Sequence, residues 1–236
     1  LPKIVTPTFE LDLPSSGKTI KYRPFLVKEE KLLVIALESE DSQQITTAIK
    51  AVISDCILSK DVKIETLPTF DIEYLFLNIR GKSVGEVVEV NIVCPDDGET
   101  EVKVSINLDE IQVIRNEEHT KTVKLDDTYF MDMKYPSLEQ FIRNNFEFEN
   151  PDMDQSFELI GSCIDKIYDN EEVWSTSDVS PQEVKDFLEQ LNSTQFKEIE
   201  KFFSTMPKLS HTIDVKNPKT KKKSKVTLEG LSSFFA

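Results

Sequence analysis

The chain has 236 residues, a formal net charge of -15 at pH 7 and a hydrophobic fraction of 39% that includes 15 phenylalanines. This composition supplies enough apolar surface for a core, so global disorder is not expected. The acidic balance argues against a protein that binds nucleic acid by neutralising phosphates. Cys56, Cys94 and Cys163 are odd in number and far apart, which predicts reduced thiols, with Cys56 and Cys163 buried on apolar helical faces.

The start of the chain and the length of its apolar runs bear on targeting. Leu1-Pro2-Lys3-Ile4 lacks a basic region followed by an apolar run, so no signal peptide is expected. No stretch approaches the length of a transmembrane helix. We therefore expect a protein that is made in the cytoplasm and does not insert into a membrane.

The first elements in chain order are two short strands and three helices. Apolar and polar residues alternate over 8–13 and 18–23, across a Pro-Ser-Ser-Gly turn, which predicts a strand pair. Apolar residues at spacings of three and four predict helices over 28–37 and 45–57. Pro68 opens a third helix, where a missing N–H is tolerated.

A hairpin follows, and it carries the clearest strand signal in the chain. Apolar residues alternate over 86–94 and again over 100–108, on either side of Pro-Asp-Asp-Gly. The polar stretch 116–120 then predicts a boundary between two modules.

The second half restarts with strands over 121–125 and 128–134. Ser137 and Gln140 form a capping box for a helix whose apolar residues are Leu138, Phe141 and Ile142. A further helical stripe is predicted from the apolar residues Phe157, Ile160, Cys163, Ile164 and Ile167.

The last elements are two helices and a hairpin. The run 180–183 combines an N-cap serine, a proline at the first helical position and a capping-box acid. Thr194 opens the next helix, which stops before Pro207. The final hairpin pairs 211–215 with 225–228.

The order of these elements repeats along the chain, although residue-level similarity between the halves is thin. It predicts an α+β fold of two similar modules, residues 1–115 and residues 116–236. Each module has a short strand pair, a helical cluster and a terminal hairpin that resembles a zinc ribbon without metal ligands. These hairpins span 86–108 and 209–229.

A zinc ribbon needs two knuckles that together supply four soft ligands. The first hairpin offers Cys94-Pro95-Asp96-Asp97-Gly98, and the last offers Asn217-Pro218-Lys219-Thr220. Among these residues and His211, only Cys94, Asp97 and His211 could coordinate a metal, and nothing in the sequence brings them together. We predict no bound zinc and no other cofactor.

Two exposed features are candidates for binding a partner. The basic tip of the last hairpin consists of Lys219, Lys221, Lys222, Lys223 and Lys225. It carries no aromatic or arginine neighbours of the kind a nucleic-acid site uses, so a solvated tip and a contact with an acidic partner or second copy both stay open. The terminal Phe234 and Phe235 are expected to pack on the helix with Phe202 and Phe203, or alternatively to anchor in a partner's pocket.

The remaining polar residues give little support for catalysis. Residues 147–190 hold 13 acidic groups against two lysines, without calcium-loop spacing, which indicates a solvated face. His119 lies in the predicted linker and His211 opens a strand, and neither accompanies a nucleophile motif.

Several runs resemble the baseplate hub proteins of T-even-like contractile-tailed bacteriophages, including their marine relatives. These runs are residues 17–33, 67–77 and 82–86, and residues 226–235 are similar to the family's end. Many members carry a Cys-Pro-x-Cys ribbon just before that end. This chain departs from the ribbon at Asn217 and Thr220, which affects metal binding and not the hairpin.

The resemblance implies a non-enzymatic part in building the baseplate hub of a phage tail. Its expected partners are other baseplate and hub proteins, with a homo-oligomer in the baseplate, and neither nucleic acid nor a membrane. Assembly is expected in the bacterial host cytoplasm. A structural component of the virion and a transient assembly chaperone both stay open, and a metal-dependent enzyme that uses Cys94, Asp97 and the acidic region is a remote alternative.

Overall fold

A computed structural model describes residues 4–39, 41–137, 140, 153–230 and 233, without the side chains at 37, 42, 43, 45, 46 and 153. It combines helices with antiparallel sheets, so the predicted α+β class is confirmed. The chain divides into two compact units. The first comprises Leu1–Ile114 and Lys208–Ala236, and the second comprises Arg115–Pro207.

The first unit begins with the strand pair and the three helices that the sequence predicts. These elements are β1 (Phe9–Asp12), β2 (Thr19–Tyr22), α1 (Val27–Glu38), α2 (Ser42–Cys56) and α3 (Thr69–Val84). The side chain of Asp41 accepts the Gln44 N–H at 2.9 Å and so caps α2. Pro68 precedes α3, which is buried along much of its length, from Phe70 to Ile79 on its apolar positions.

Two hairpins and a short strand complete this unit. The elements are β3 (Val87–Val93), β4 (Glu101–Asn107), β5 (Gln112–Ile114), β10 (Lys208–Lys216) and β11 (Lys223–Glu229). β3 pairs with β4 as the predicted hairpin, with Val90 opposite Val104. The alternate residues of β3 are buried, as expected for a strand with one face on the core.

The last hairpin folds with the first part of the chain, so the two units differ from the predicted modules 1–115 and 116–236. β10 pairs with β11 on one edge and with β5 on the other, where Leu209 lies opposite Val113. Buried Leu209 and Leu228 share one core with Leu77 of α3 and Val90 of β3. This long-range burial carries residues 208–229 across the predicted boundary.

The second unit is a four-stranded antiparallel sheet with helices. Its elements are β6 (Thr122–Lys124), β7 (Phe130–Met133), α4 (Met153–Ser162), β8 (Ile164–Tyr168), β9 (Val173–Ser175), α5 (Pro181–Glu189) and α6 (Ser193–Thr205). Its strands follow the order β6-β7-β8-β9. Ser180 and Glu183 form the predicted capping box of α5. Asn192 and Gln195 form a second box that starts α6, one turn feature that the sequence reading missed.

The predicted helical stripe through Ile164 and Ile167 is wrong at its end. α4 stops at Ser162, and the two isoleucines lie in β8, opposite Met133 and Met131 of β7. Their spacing of three fits a helix, but β-branched residues also favour strands. Pairing with β7 on one side and β9 on the other decides the conformation, and both partners are distant in sequence.

Two predictions fall on residues outside the described part of the chain. The first is the helix with Leu138, Phe141 and Ile142, of which the structure describes only its predicted cap, where the Ser137 N–H donates to the Gln140 side chain. The second is the placement of Phe234 and Phe235.

Candidate partner-binding surfaces

The basic tip lies where the sequence places it, at the turn between β10 and β11 and in the first residues of β11. Its five lysines are all exposed. They are Lys219, Lys221, Lys222, Lys223 and Lys225. Within the described residues none of them pairs with a carboxylate, although the Lys221 Nζ donates to the Pro218 carbonyl at 2.7 Å. The tip therefore presents several cations that are free to meet an acidic surface.

The tips of the β3–β4 and β10–β11 hairpins meet through hydrogen bonds, a contact that the sequence did not predict. The Asn217 Nδ2 donates to Asp96 Oδ1 at 3.0 Å and to Asp97 Oδ2 at 2.8 Å. The Thr220 hydroxyl donates to the other oxygen of Asp96. We call these contacts the paired tips. They attach the basic tip to the β3–β4 hairpin and limit how far it can move.

His211, the third residue considered as a metal ligand, lies elsewhere on the last hairpin. It faces Leu228 across the β10–β11 pair, several residues before Asn217. In the described part of the chain, no group of three or more His, Cys, Asp or Glu residues could hold a metal ion. The described acidic residues of 154–189 therefore supply no such group.

The three cysteines are free and buried. Burial raises the pKa of Cys56 and of Cys163 to about 11. Burial also raises the pKa of Cys94, and the neighbouring Asp96 and Asp97 carboxylates add to that effect. A thiol with a raised pKa supplies little thiolate at neutral pH, so these side chains act as core residues.

An apolar groove of about 470 Å³ opens on the second unit, between the sheet and α5. Trp174 on β9 and Tyr129 before β7 stand on its wall, with ring centroids 6.2 Å apart, and Trp174 is 40% exposed. Phe187 of α5 and Ile167 of β8 line the same groove. Exposed tryptophan and tyrosine beside an apolar groove are typical of protein-binding surfaces. Sequence reasoning missed this feature, although Trp174 is the single tryptophan of the chain.

His119 has a structural role in the second unit. Its Nδ1 lies 3.0 Å from the Thr205 hydroxyl, and its Nε2 lies 3.0 Å from the Tyr135 hydroxyl. The Thr205 hydroxyl donates to the Lys201 carbonyl at 2.6 Å, so it accepts the hydrogen bond from His119 Nδ1–H. The Nε2 atom then accepts from Tyr135, which assigns the neutral tautomer.

Acid is expected to destabilise the second unit through His119. Burial lowers the pKa of this imidazole, and the nearby Lys121 ammonium lowers it further. Since the unfolded chain binds the proton more readily, stability should fall as the pH drops below about 6.5, the ordinary histidine value. Urea denaturation followed at Trp174 between pH 7.5 and 5 measures this effect.

The matched variant for that titration is His119→Gln, which cannot gain a proton. We expect its stability to change less between pH 7.5 and 5 than that of the wild type. The same substitution at His211, which lies in the first unit, should leave the pH dependence of the second unit unaltered. Equal pH profiles for the wild type and His119→Gln would contradict the assignment.

The chain matches a family of phage proteins over almost its whole length. The family model described as T4 bacteriophage base plate protein aligns with residues 6–236. The chain belongs to this family. The resemblance to T4-like phage baseplate proteins is thereby confirmed, at the level of the baseplate. No curated protein and no solved structure matches the chain.

Membership supports a location at the tail baseplate for this baseplate protein and implies interaction with other phage baseplate proteins. Among its described helices, none is both long and apolar enough to cross a bilayer. The basic tip and the apolar groove are two exposed features of its described residues that suit contact with such neighbours.

Proposed function

We propose that this baseplate protein is a component of the baseplate hub and that it acts without catalysis, through contacts with neighbouring baseplate proteins. The resemblance of residues 17–33 and 67–77 to hub proteins supports the hub assignment. The buried, protonated thiols and the structural use of His119 support a non-enzymatic role. Assembly into the baseplate takes place in the host cytoplasm in this proposal.

The observation that carries the proposal is the basic tip, exposed and held in place by the paired tips. The chain as a whole has a net charge of -15, but these lysines form a local cluster of positive charge. Such a cluster attracts the acidic surfaces of other molecules. A preorganised group of cations loses less conformational entropy on binding than a mobile one. Acidic protein surfaces, including that of another copy, are the partners that this charge pattern favours.

Replacing Lys219, Lys222 and Lys223 by glutamine is expected to weaken capture of baseplate partners from infected cells. Lys221 stays unchanged because its Nζ donates to the Pro218 carbonyl at 2.7 Å within the turn. Exposed substitutions of this kind usually change stability by less than about 0.5 kcal/mol, so the variant should fold normally. Pull-down with the tagged full chain, quantified against the wild type in low and moderate salt, measures the effect.

The matched control replaces Lys31, Lys60 and Lys63, which are also exposed lysines of the first unit. It removes the same charge and should capture partners as the wild type does. Equal loss in both variants would assign the effect to net charge and contradict a role for the basic tip. Binding of DNA fragments by the wild type at moderate salt would contradict the proposed protein partner.

Mass spectrometry of purified virions tests the hub component itself. We expect the protein at a near-stoichiometric copy number with hub proteins. Its absence from virions, together with a complex with hub proteins in infected cells, would replace the structural component by a transient assembly chaperone. Its absence from both would remove the hub from the proposal.

A further inference from the structure

The first five residues of the two hairpin tips share one backbone pattern, although only the proline is common to both. In the first tip the Gly98 N–H donates to the Cys94 carbonyl at 2.9 Å, and in the second the Lys221 N–H donates to the Asn217 carbonyl at 3.0 Å. The fifth residue of each tip has a left-handed φ, +67° at Gly98 and 64° at Lys221. Proline follows the first residue in both. The first five residues of the tips are therefore equivalent, and the tips differ after them, where the Cys94 N–H donates to the Thr100 carbonyl and the Asn217 N–H to the Lys222 carbonyl.

This equivalence places two Cys-x-x-Cys-type pairs of positions against each other. The first and fourth positions are Cys94 and Asp97 in one tip and Asn217 and Thr220 in the other. Cys94 and Asn217 are each 1% exposed, and Cys94 belongs to the buried cluster that also contains Val215 of β10. Two such pairs that face each other are the arrangement in which four thiolates bind a structural zinc ion.

The polar side-chain atoms of Asn217 are all engaged in hydrogen bonds. The Asn217 Oδ1 accepts the N–H groups of Lys219 at 2.8 Å and of Thr220 at 3.2 Å. Successive backbone N–H groups of this kind favour an anionic ligand atom. The Asn217 Nδ2, in turn, donates to Asp96 and Asp97, 121 and 120 residues away. An amide thus occupies the place of a thiolate and bridges the tips directly.

The donor set does not fit zinc. The four positions hold one thiol, one carboxylate, one amide and one hydroxyl, whereas structural zinc sites use thiolates and imidazoles. The Asn217 amide and the Thr220 hydroxyl already donate their hydrogens to Asp96 and Asp97. Hydrogen bonds from Thr100, then from Asn217, hold the pKa of Asp97 below its usual range, so this acceptor is ionised at neutral pH.

We propose that the paired tips are a zinc-site frame in which direct hydrogen bonds between Asn217, Thr220 and the two aspartates replace the metal. The frame still places its four positions for tetrahedral coordination, so thiolates restored at 97, 217 and 220 will bind zinc together with Cys94. This inference concerns how the first unit is closed and does not depend on the proposed hub function.

The test is a Co²⁺ titration of the reduced full-length triple variant Asp97→Cys/Asn217→Cys/Thr220→Cys. We expect one Co²⁺ per chain, with the visible bands of tetrahedral thiolate coordination, displaced by Zn²⁺. The control Asp96→Cys/Asn217→Cys/Lys219→Cys has the same number of thiols at a spacing shorter by one residue. Since loss of even an outer-shell partner lowers metal affinity by about 10–100-fold, this control should bind at least about 100-fold more weakly.

The triple variant loses the hydrogen bonds of the paired tips, so its metal-free form is expected to unfold more readily. A metal-dependent gain in its thermal midpoint supports the proposal whether or not the metal-free form folds. The double variant Asn217→Cys/Thr220→Cys keeps Asp97 as an oxygen ligand and is the second variant that should bind the metal. Failure of both variants to bind Co²⁺ more tightly than the control overturns the proposal.

The wild type tests the other half of the inference. Its thermal midpoint of unfolding is expected to be the same with added Zn²⁺ and with a chelator, because hydrogen bonds and not a metal hold the two tips together. A thermal midpoint that is lower in the presence of the chelator would show that the paired tips of the wild type need a metal. This result would also overturn the proposal.

Discussion

Replacing Glu29 by glutamine is expected to lower the free energy of unfolding of the first unit by about 3 kcal/mol, the lower end for breaking a buried ion pair. The Glu29 side chain is 3% exposed and lies 2.8 Å from the Arg23 guanidinium and 3.0 Å from the Lys28 ammonium. It also accepts the Leu26 N–H at 2.7 Å. Arg23 is 15% exposed, so water reaches part of the cation that the substitution leaves unpaired.

The same pair predicts the acid response of the first unit. Burial raises the pKa of Glu29, but hydrogen bonds from Arg23, Lys28 and Leu26 outweigh it and hold that pKa at about 2. An unfolded glutamate titrates near about 4.3. Because the folded carboxylate resists protonation, its stabilisation is complete above that pH and is lost as the pH falls toward 2.

Urea denaturation at pH 7 and at pH 3 measures both effects. The control is Glu30→Gln, since Glu30 is the next residue of α1 and is exposed. We expect the difference between the two variants to be large at pH 7 and smaller at pH 3. Equal stability of Glu29→Gln and Glu30→Gln at pH 7 would rule out a stabilising pair.

Truncating Phe202 to alanine is expected to destabilise the second unit by about 3–5 kcal/mol, the usual effect of removing a buried aromatic ring. Phe202 lies on α6, is 2% exposed and belongs to the core of that unit. Its ring centroid lies 5.2 Å from that of His119, 5.7 Å from that of Tyr135 and 5.1 Å from that of Phe203. The substitution leaves a cavity between these rings and removes three aromatic contacts.

The neighbouring Phe203→Ala variant is the matched control. It makes the same chemical change in the same helix, but the Phe203 side chain is only partly buried. Both variants gain the same helix propensity, so the difference between them reports the packing of the ring. Hydrogen exchange within residues 115–207 and urea denaturation measure it. A loss at Phe202 no greater than that at Phe203 would mean that the site collapses around the alanine.

Local sequence patterns predicted most helix starts and the clearest hairpin. The capping box at Ser180 and Glu183 acts within one turn of helix, so its residues suffice to identify it. The alternation over β3 and β4 likewise encodes which face is buried, and a short turn sets their register. The exposure of the five tip lysines followed from the same local pattern.

Pairing between strands that are distant in sequence accounts for the differences between the predicted and the observed elements. Ile164 and Ile167 carry a helical spacing, yet β7 and β9 hold them in a strand. β5 is three residues long and forms only because β10 offers an edge. Trp174 and Tyr129 come together across the second unit, and no spacing along the chain indicates the groove that they line.

The sequence by itself determined the α+β class, the family, the absence of a zinc-type ligand set at the two tips and the basic charge of the last one. These properties depend on residue types and on patterns within a few positions. Only the tertiary structure decided that the last hairpin folds with the first part of the chain and that the two tips meet. Such contacts join Asn217 to Asp96 over 121 residues, and their energy comes from burial and hydrogen bonds that exist only once the chain has folded.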